Sequence, residues 1–135
     1  MPLNNPILDA ALNGISLDEI KKEMGPPPWA RAVVLADHVS GVVICQNPGQ
    51  ENDNHCHDYD EWWAILEGEI DWIVEGREDR PVEAKAGSFV FVPAMTFHLI
   101  CPKGDGPSVR LAMSLPGTGH MHERPDRRAT ITIDR

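Results

Sequence analysis

Cysteine is scarce in this 135-residue chain, basic charge is in deficit, and no apolar run is long. Each shortage removes a class of explanation. Three cysteines, Cys45, Cys56 and Cys101, are an odd number and too few for a disulfide scaffold, so a reduced, cytoplasmic setting is expected. Twelve Lys and Arg stand against 21 Asp and Glu, a net charge of -9. A surface that acidic repels phosphate backbones and anionic lipid, which argues against nucleic-acid and membrane partners. No stretch approaches the ~20 apolar residues of a membrane span. Residues 1–12 lack the cationic start and apolar run of a secretory signal. The expectation is a soluble, acidic protein with one domain and one core.

Helical signals are confined to one place. Ser16-Leu17-Asp18-Glu19 reads as a capping box, Ile20 and Met24 extend an apolar stripe from Leu17, and Gly25 followed by Pro26-Pro27-Pro28 stops the helix. Residues 16–24 are predicted to be helical, with the prolines as a stiff linker. From Arg31 to Ser114 the chain reads as short strands, predicted at 32–39, 42–46, 61–66, 69–75, 82–85, 88–92, 98–101 and 109–114. Gly-, Pro- and Asn-bearing turns separate them. That density of short strands is the mark of a sandwich or barrel. The expected organisation is an N-terminal helix and linker over 1–30, a barrel over 31–115, and an extended tail over 116–135 with an edge strand at 129–134.

Alternation assigns faces. Ile70, Trp72 and Val74 share one face of their strand, with Glu69, Asp71 and Glu75 on a solvated side. Residues 61–66 are apolar on both faces: Trp63 and Ile65 on one, Trp62, Ala64 and Leu66 on the other. Such a strand is covered twice. The N-terminal segment or another subunit can supply the second cover, and the reading favours another subunit, hence a homodimer.

The chemistry is concentrated between Gly49 and Gly68. His55, His57 and Glu61 have the same parity, so on extended chain they converge on one point. Two imidazoles and a carboxylate suit a first-row divalent metal with open coordination positions. Given this composition, the five fixed residues Gly49, His55, His57, Glu61 and Gly68 coincide by chance with a probability on the order of 10⁻⁴ over the chain. His98, bounded by Pro93 and Pro102 with Phe97 and Leu99 on the opposite face, is a buried imidazole that needs a partner, and a metal supplies one. A hydrogen-bonded polar cluster without metal is the alternative.

These segments resemble the cupin superfamily. Its first motif, G-x5-H-x-H-x3,4-E-x6-G, is met at every fixed position by Gly49, His55, His57, Glu61 and Gly68. Its second, G-x5-P-x-G-x2-H-x3-N, is met at Gly87, Pro93 and His98, but Met95 stands in place of the Gly and Pro102 in place of the Asn. The Met95 departure bears on the turn before His98. The resemblance covers roughly residues 30–115. It implies an all-β fold, a single antiparallel jelly-roll barrel, in which His55, His57, Glu61 and His98 bind one divalent metal. Iron, manganese, zinc, nickel, cobalt and copper all suit those donors.

Other residues are weighed around that site. Trp63 shares the ligands' parity and either walls the pocket or packs the core. Tyr59 shares it too, its hydroxyl placed for substrate or for a ligand. Gln46 ends the strand entering the ligand loop and is a hydrogen-bonding candidate. Arg110 alternates against Val109 and Leu111; a solvated face residue is the commoner case, a clamp for an acidic substrate the sharper one. His120 and His122 read as a solvated or surface-packed pair in the tail, with closure of the tail over the pocket as the rarer option, and His38 reads as structural. The three cysteines read as buried and inert. Three functions fit. The first is a metal-dependent enzyme on a small oxygen-rich molecule with dioxygenase-type chemistry. The second is a non-redox Lewis-acid lyase, isomerase or dehydratase on the same metal. The third is a non-catalytic ligand-binding module.

Overall fold

In the computed structural model, residues 14–50, 53–117 and 119–128 are described; the edge strand expected at 129–134 lies outside them. Helix α1 (Leu17–Met24) begins as its sequence requires. The Ser16 hydroxyl accepts from the Glu19 amide at 3.1 Å, and the Ser16 amide donates to Glu19 Oε2 at 2.9 Å. Gly25, at φ 78°, closes the helix through a bond to the Lys21 carbonyl.

Two sheets follow, antiparallel throughout. The larger has strands in the order β1-β2-β8-β3-β6 and the smaller β5-β4-β7. The strands are β1 (Trp29–Leu35), β2 (Ser40–Gln46), β3 (Glu61–Glu67), β4 (Glu69–Val74), β5 (Val82–Lys85), β6 (Phe89–Val92), β7 (His98–Lys103) and β8 (Ser108–Ser114). A small hairpin, β9 (Glu123–Arg124) and β10 (Arg127–Arg128), lies in the tail. The first strand begins at Trp29, directly after the prolines, and stops at Leu35, not at Val39. Chain reversal intervenes, closed by a bond from the Ala36 amide to the Val39 carbonyl. His38 is therefore an exposed turn residue and not the end of a buried strand.

Between the sheets Trp63, Ile65, Val90, Val92 and Ala112 of the larger sheet meet Ile70, Trp72, Ala84 and Ile100 of the smaller. Trp63 and Trp72 are 5.2 Å apart and essentially inaccessible. Side chains of opposite parity build two outer layers. Val43, Cys45 and Val109 face outward against Ile20 of α1 and Trp29. Leu99, Cys101 and Ile73 face the other way, against Cys56 and Phe97, with Met121 of the tail packed on them. The side of β4 expected to be solvated is thus partly covered, because Ile73 has an apolar partner and Glu75 holds Arg124. The N-terminal segment supplies the second cover over β1, β2 and β8. Among the described residues nothing covers that face over β3 and the edge strand β6: Trp62, Phe89 and Phe91 retain 43%, 78% and 60% exposure.

The two glycines that bracket the ligand segment differ in what they tolerate. Both are left-handed, at φ 88° for Gly49 and 78° for Gly68. A Cβ on Gly49 would meet open space, whereas one on Gly68 would lie 2.8 Å from the Pro107 carbonyl oxygen and the Ser108 Cα. Left-handed backbone costs a residue with a Cβ about 1–2 kcal/mol, and backbone atoms cannot yield as a side-chain tip can. Gly49→Ala should cost about 1 kcal/mol in urea unfolding, and Gly68→Ala at least about 2 kcal/mol. Equal losses would contradict the close approach at Gly68.

Candidate metal centre

The segment from Gly49 to Gly68 is not one strand. Only Glu61–Glu67 is, and the described residues before it belong to no strand, apart from isolated bridges at His55 and Cys56. Extended pairing at two points nevertheless preserves the parity. His55 pairs with His98, amide to carbonyl in both directions at 3.2 and 2.8 Å, and Cys56 pairs with Met121 of the tail at 2.9 Å both ways. Alternation then sends Cys56 into the apolar layer and His55 and His57 inward.

His55, His57 and His98 come together as a result. Their rings lie 4.5 to 5.5 Å apart between centroids, and they retain 1%, 3% and 1% exposure. One ring nitrogen from each lies within 4.8 Å of the others. Each Nδ1 faces a main-chain carbonyl: Asp53 for His55, Gly119 for His57 at 3.3 Å, Thr96 for His98 at 3.0 Å. A carbonyl only accepts, so each Nδ1 carries the hydrogen and each lone pair sits on Nε2. Among the described residues, the Nε2 atoms of His57 and His98 are buried without a hydrogen-bond partner. Glu61 Oε1 lies 3.3 Å from His57 Nε2 but is not aligned to bond it. Buried acceptors without donors are costly. The three converging imidazoles fit a divalent cation, which satisfies their lone pairs at once; Glu61 approaches His57 but is not among the groups whose ligand atoms all lie within 4.8 Å of one another.

Electrostatics agree with that arrangement. Burial holds the His55 pKa down to about 3, helped by the neighbouring His98, and burial also lowers that of His98. His57 is raised: burial, the largest single effect, opposes its charge, but the Glu61 carboxylate, the Gly119 carbonyl and the charge of Asp58 together outweigh it. The hydroxyl of Tyr59 lies 3.0 Å from His57 Nδ1, so it touches a candidate ligand. Trp63 is 1% exposed with its ring 5.6 Å from that of His98, packed in the core beside the cluster.

Arg110 departs from its commoner reading. Expected on a solvated face, it is fully buried on the inner side of β8, because Val109 and Leu111 turn toward α1 and leave it the barrel interior. Its Nη1 donates to Gln46 Oε1 at 2.7 Å, while Nε and Nη2 have no partner among the described residues. Burial lowers its pKa to about 10, opposed by the charge of Glu61, so it stays cationic at neutral pH. Ile44, Gln46, Trp29 and His120 line a cavity of about 330 Å³ at the mouth. A larger one, about 420 Å³, lies outside the smaller sheet around Ile73, Cys101 and Lys103 and meets none of these groups.

The tail packs on the surface beside this cluster: His120, about half exposed, stacks on His55, 3.8 Å between centroids and 4° from parallel, and His122 remains 58% exposed on its side chain. Arg124 anchors the strap. It pairs with Glu75 (Nη2–Oε2 2.9 Å) and Asp126, donates to the Met95 carbonyl at 2.7 Å, and lies over the Phe97 ring. Alternation held the one available signal: Met121, apolar between two histidines, is the residue that docks on Cys56. At Met95 the chain keeps φ 63°, the left-handed turn the glycine of the motif would adopt, held by a bond from its amide to the His57 carbonyl.

A cupin-domain family model matches residues 42–114. No curated protein matches the chain. Among solved structures, a conserved protein with a double-stranded β-helix domain from Klebsiella pneumoniae is 21% identical, with a TM-score of 0.65, over 82% of this chain and 97% of that one. A cupin-2 domain protein from Shewanella frigidimarina is 17% identical, with a TM-score of 0.64, over 78% and 98%. A protein from Acidithiobacillus ferrooxidans, whose name proposes a sugar phosphate isomerase, is 22% identical, with a TM-score of 0.59, over 74% and 72%. At these identities the likeness is one of fold.

The pKa directions fix a pH dependence. A cation needs neutral imidazoles. Lowered values keep His55 and His98 neutral as pH falls, whereas His57, raised, is the first of the three to take up a second ring proton, which the cation must then displace. Affinity is therefore full above the His57 pKa and falls as pH drops through it, by about one decade per unit for one proton. Competition titrations with zinc between pH 5 and 8 should give a slope near one; a slope near three would contradict the assigned protonation states.

Proposed function

Since this chain belongs to the cupin family, we propose that it is a metal-dependent enzyme acting on a small, oxygen-rich, anionic molecule. His55, His57, His98 and Glu61 hold one divalent ion. The observation that carries this reading is the pair of buried, unpartnered Nε2 atoms beside a carboxylate. When bound, such an ion polarises a chelating oxygen and, if redox-active, activates dioxygen; oxygenation is the reaction assigned.

The chain's own residues supply the rest. Carbonyls of Asp53, Gly119 and Thr96 orient the three rings. Arg110, steered by Gln46, keeps two unpaired donor groups inside the barrel, matched to a carboxylate or similar anion. Tyr59 steadies His57, Trp63 walls the interior, and the strap limits water. A non-redox isomerisation or dehydration is the second reading, favoured by the name given to the Acidithiobacillus ferrooxidans structure.

Metal content and oxygen uptake test the proposal together. Purified protein should carry about one tightly held ion, and Glu61→Gln should lose it while staying folded by circular dichroism. The Fe(II)-loaded protein should consume oxygen with small hydroxy- or keto-acids, and Arg110→Met should abolish that dependence on the acid. Undiminished ion content in Glu61→Gln would remove Glu61 from the ligand set. Turnover of an acid without oxygen uptake would select the non-redox reading.

The open face over β3 and β6 also supports a homodimer. Phe89, Phe91 and Trp62 expose more apolar area than an isolated surface residue, at an unpaired sheet edge. Light scattering at micromolar concentration should give twice the chain mass, and Phe91→Glu should halve it. A monomeric particle for the unaltered chain would defeat this assembly.

A further inference from the structure

One rung of the larger sheet leads from its edge strand to the buried guanidinium. Ala30 of β1 stands opposite Ile44 of β2, and Ile44 stands opposite Arg110 of β8. Residues opposite one another in an antiparallel pair share a face, and Ile44 packs against the core between the sheets. All three side chains therefore turn to the inside of the barrel. Neighbouring strands lie about 4.8 Å apart, so the rung runs about 10 Å from Ala30 to Arg110.

The edge strand adds little bulk to this rung. Ala30 carries one methyl beside the larger Ile44 and Arg110, and a cavity of about 330 Å³ borders it at the mouth. Pro28, Ala30 and Ile44 give that cavity walls without a polar side-chain atom. Trp29 adds no donor, because its indole N–H is spent on the Gly25 carbonyl at 3.0 Å. Polar side chains enter at two places. Gln46 joins the cavity to Arg110: it lines the one, and its Oε1 accepts from Nη1 of the other. His120 joins the cavity to the buried histidines, since it lines the wall and stacks on His55. A molecule whose head sits between Arg110 and the histidines thus has its other end against an apolar wall.

We propose that the substrate is a hydroxy or keto acid with a short alkyl tail: the carboxylate meets Arg110, the tail fills the mouth over Ile44, and Ala30 sets how large the tail can be. This rests on the reading of Arg110 as the anchor for an anion. The acid displaces the Gln46 oxygen from the guanidinium, because charge-assisted bonds are about twice as strong as neutral ones. Hydroxyls along the tail would lose their water against Pro28, Ala30 and Ile44 and find no side-chain partner there among the described residues. A sugar acid therefore fits worse than an alkyl acid, whereas each methylene taken from water tightens binding by up to about fourfold.

The test is isothermal titration calorimetry of the whole chain with lactate, 2-hydroxybutanoate and 2-hydroxyhexanoate, which share one head and differ only in the tail. Kd should fall about two- to fourfold per methylene along this series. Gluconate, the six-carbon 2-hydroxy acid with hydroxyls along its tail, should bind about tenfold more weakly than 2-hydroxyhexanoate. Hexane-1,2-diol, which keeps the alkyl tail and lacks the carboxylate, should bind about tenfold more weakly as well. Ala30→Leu, at an exposed position of an edge strand, fills the mouth. It should bring the Kd of 2-hydroxyhexanoate to within about twofold of that of lactate. A Kd independent of tail length, gluconate as tight as 2-hydroxyhexanoate, or a length dependence that survives Ala30→Leu overturns the proposal while the anion anchor stands. Hexane-1,2-diol as tight as the acid, or no binding of any acid, overturns both.

Discussion

Each histidine at the heart of this barrel spends one ring nitrogen on a main-chain carbonyl, and the rest of the site follows from that constraint. Asp53, Thr96 and Gly119 supply the three acceptors. With the hydrogen fixed on Nδ1, the basic nitrogen of each ring is fixed as well, and burial forbids water from satisfying it. The cluster is consequently a polar defect beside the apolar core, with Trp63 against His98. A fold holds such a defect only if surrounding packing enforces it. Two tryptophans in contact and two outer apolar layers supply that packing.

The three carbonyls come from three separate parts of the chain: the ligand loop, the turn before β7, and the tail. That dispersion ties remote elements to the site. The tail is held by Arg124 through Glu75, Asp126 and the Met95 carbonyl, and Met95 in turn bonds the His57 carbonyl. A perturbation at Arg124 therefore reaches His57 by two routes, through Gly119 and through Met95. The left-handed Met95 costs backbone strain, and these two hydrogen bonds offset it.

Fixed spacing and strand parity made much of this legible in the sequence. The capping box around Ser16 and the strand alternation are local patterns, and the structure contains them; parity brings His55 and His57 together, but the third member of the converging group is the remote His98 and not Glu61. Long-range packing was not legible. Arg110 lies between two residues that face α1, so its own alternation could not say which side was solvent. His120 is drawn onto His55 because Met121 finds an apolar site on Cys56, a pairing across 65 residues of chain. The end of β1 slipped for a related reason: an apolar run continued past Leu35, while the turn closed on a backbone bond that composition does not mark.

Nitrogen-15 NMR of the histidine rings tests the central constraint most directly, in metal-free protein at a pH above the His57 titration. The account predicts that His55, His57 and His98 all carry their hydrogen on Nδ1, and that their Nε2 resonances shift together when zinc is added. Hydrogen on Nε2 of those rings, or Nε2 resonances indifferent to zinc, would contradict it.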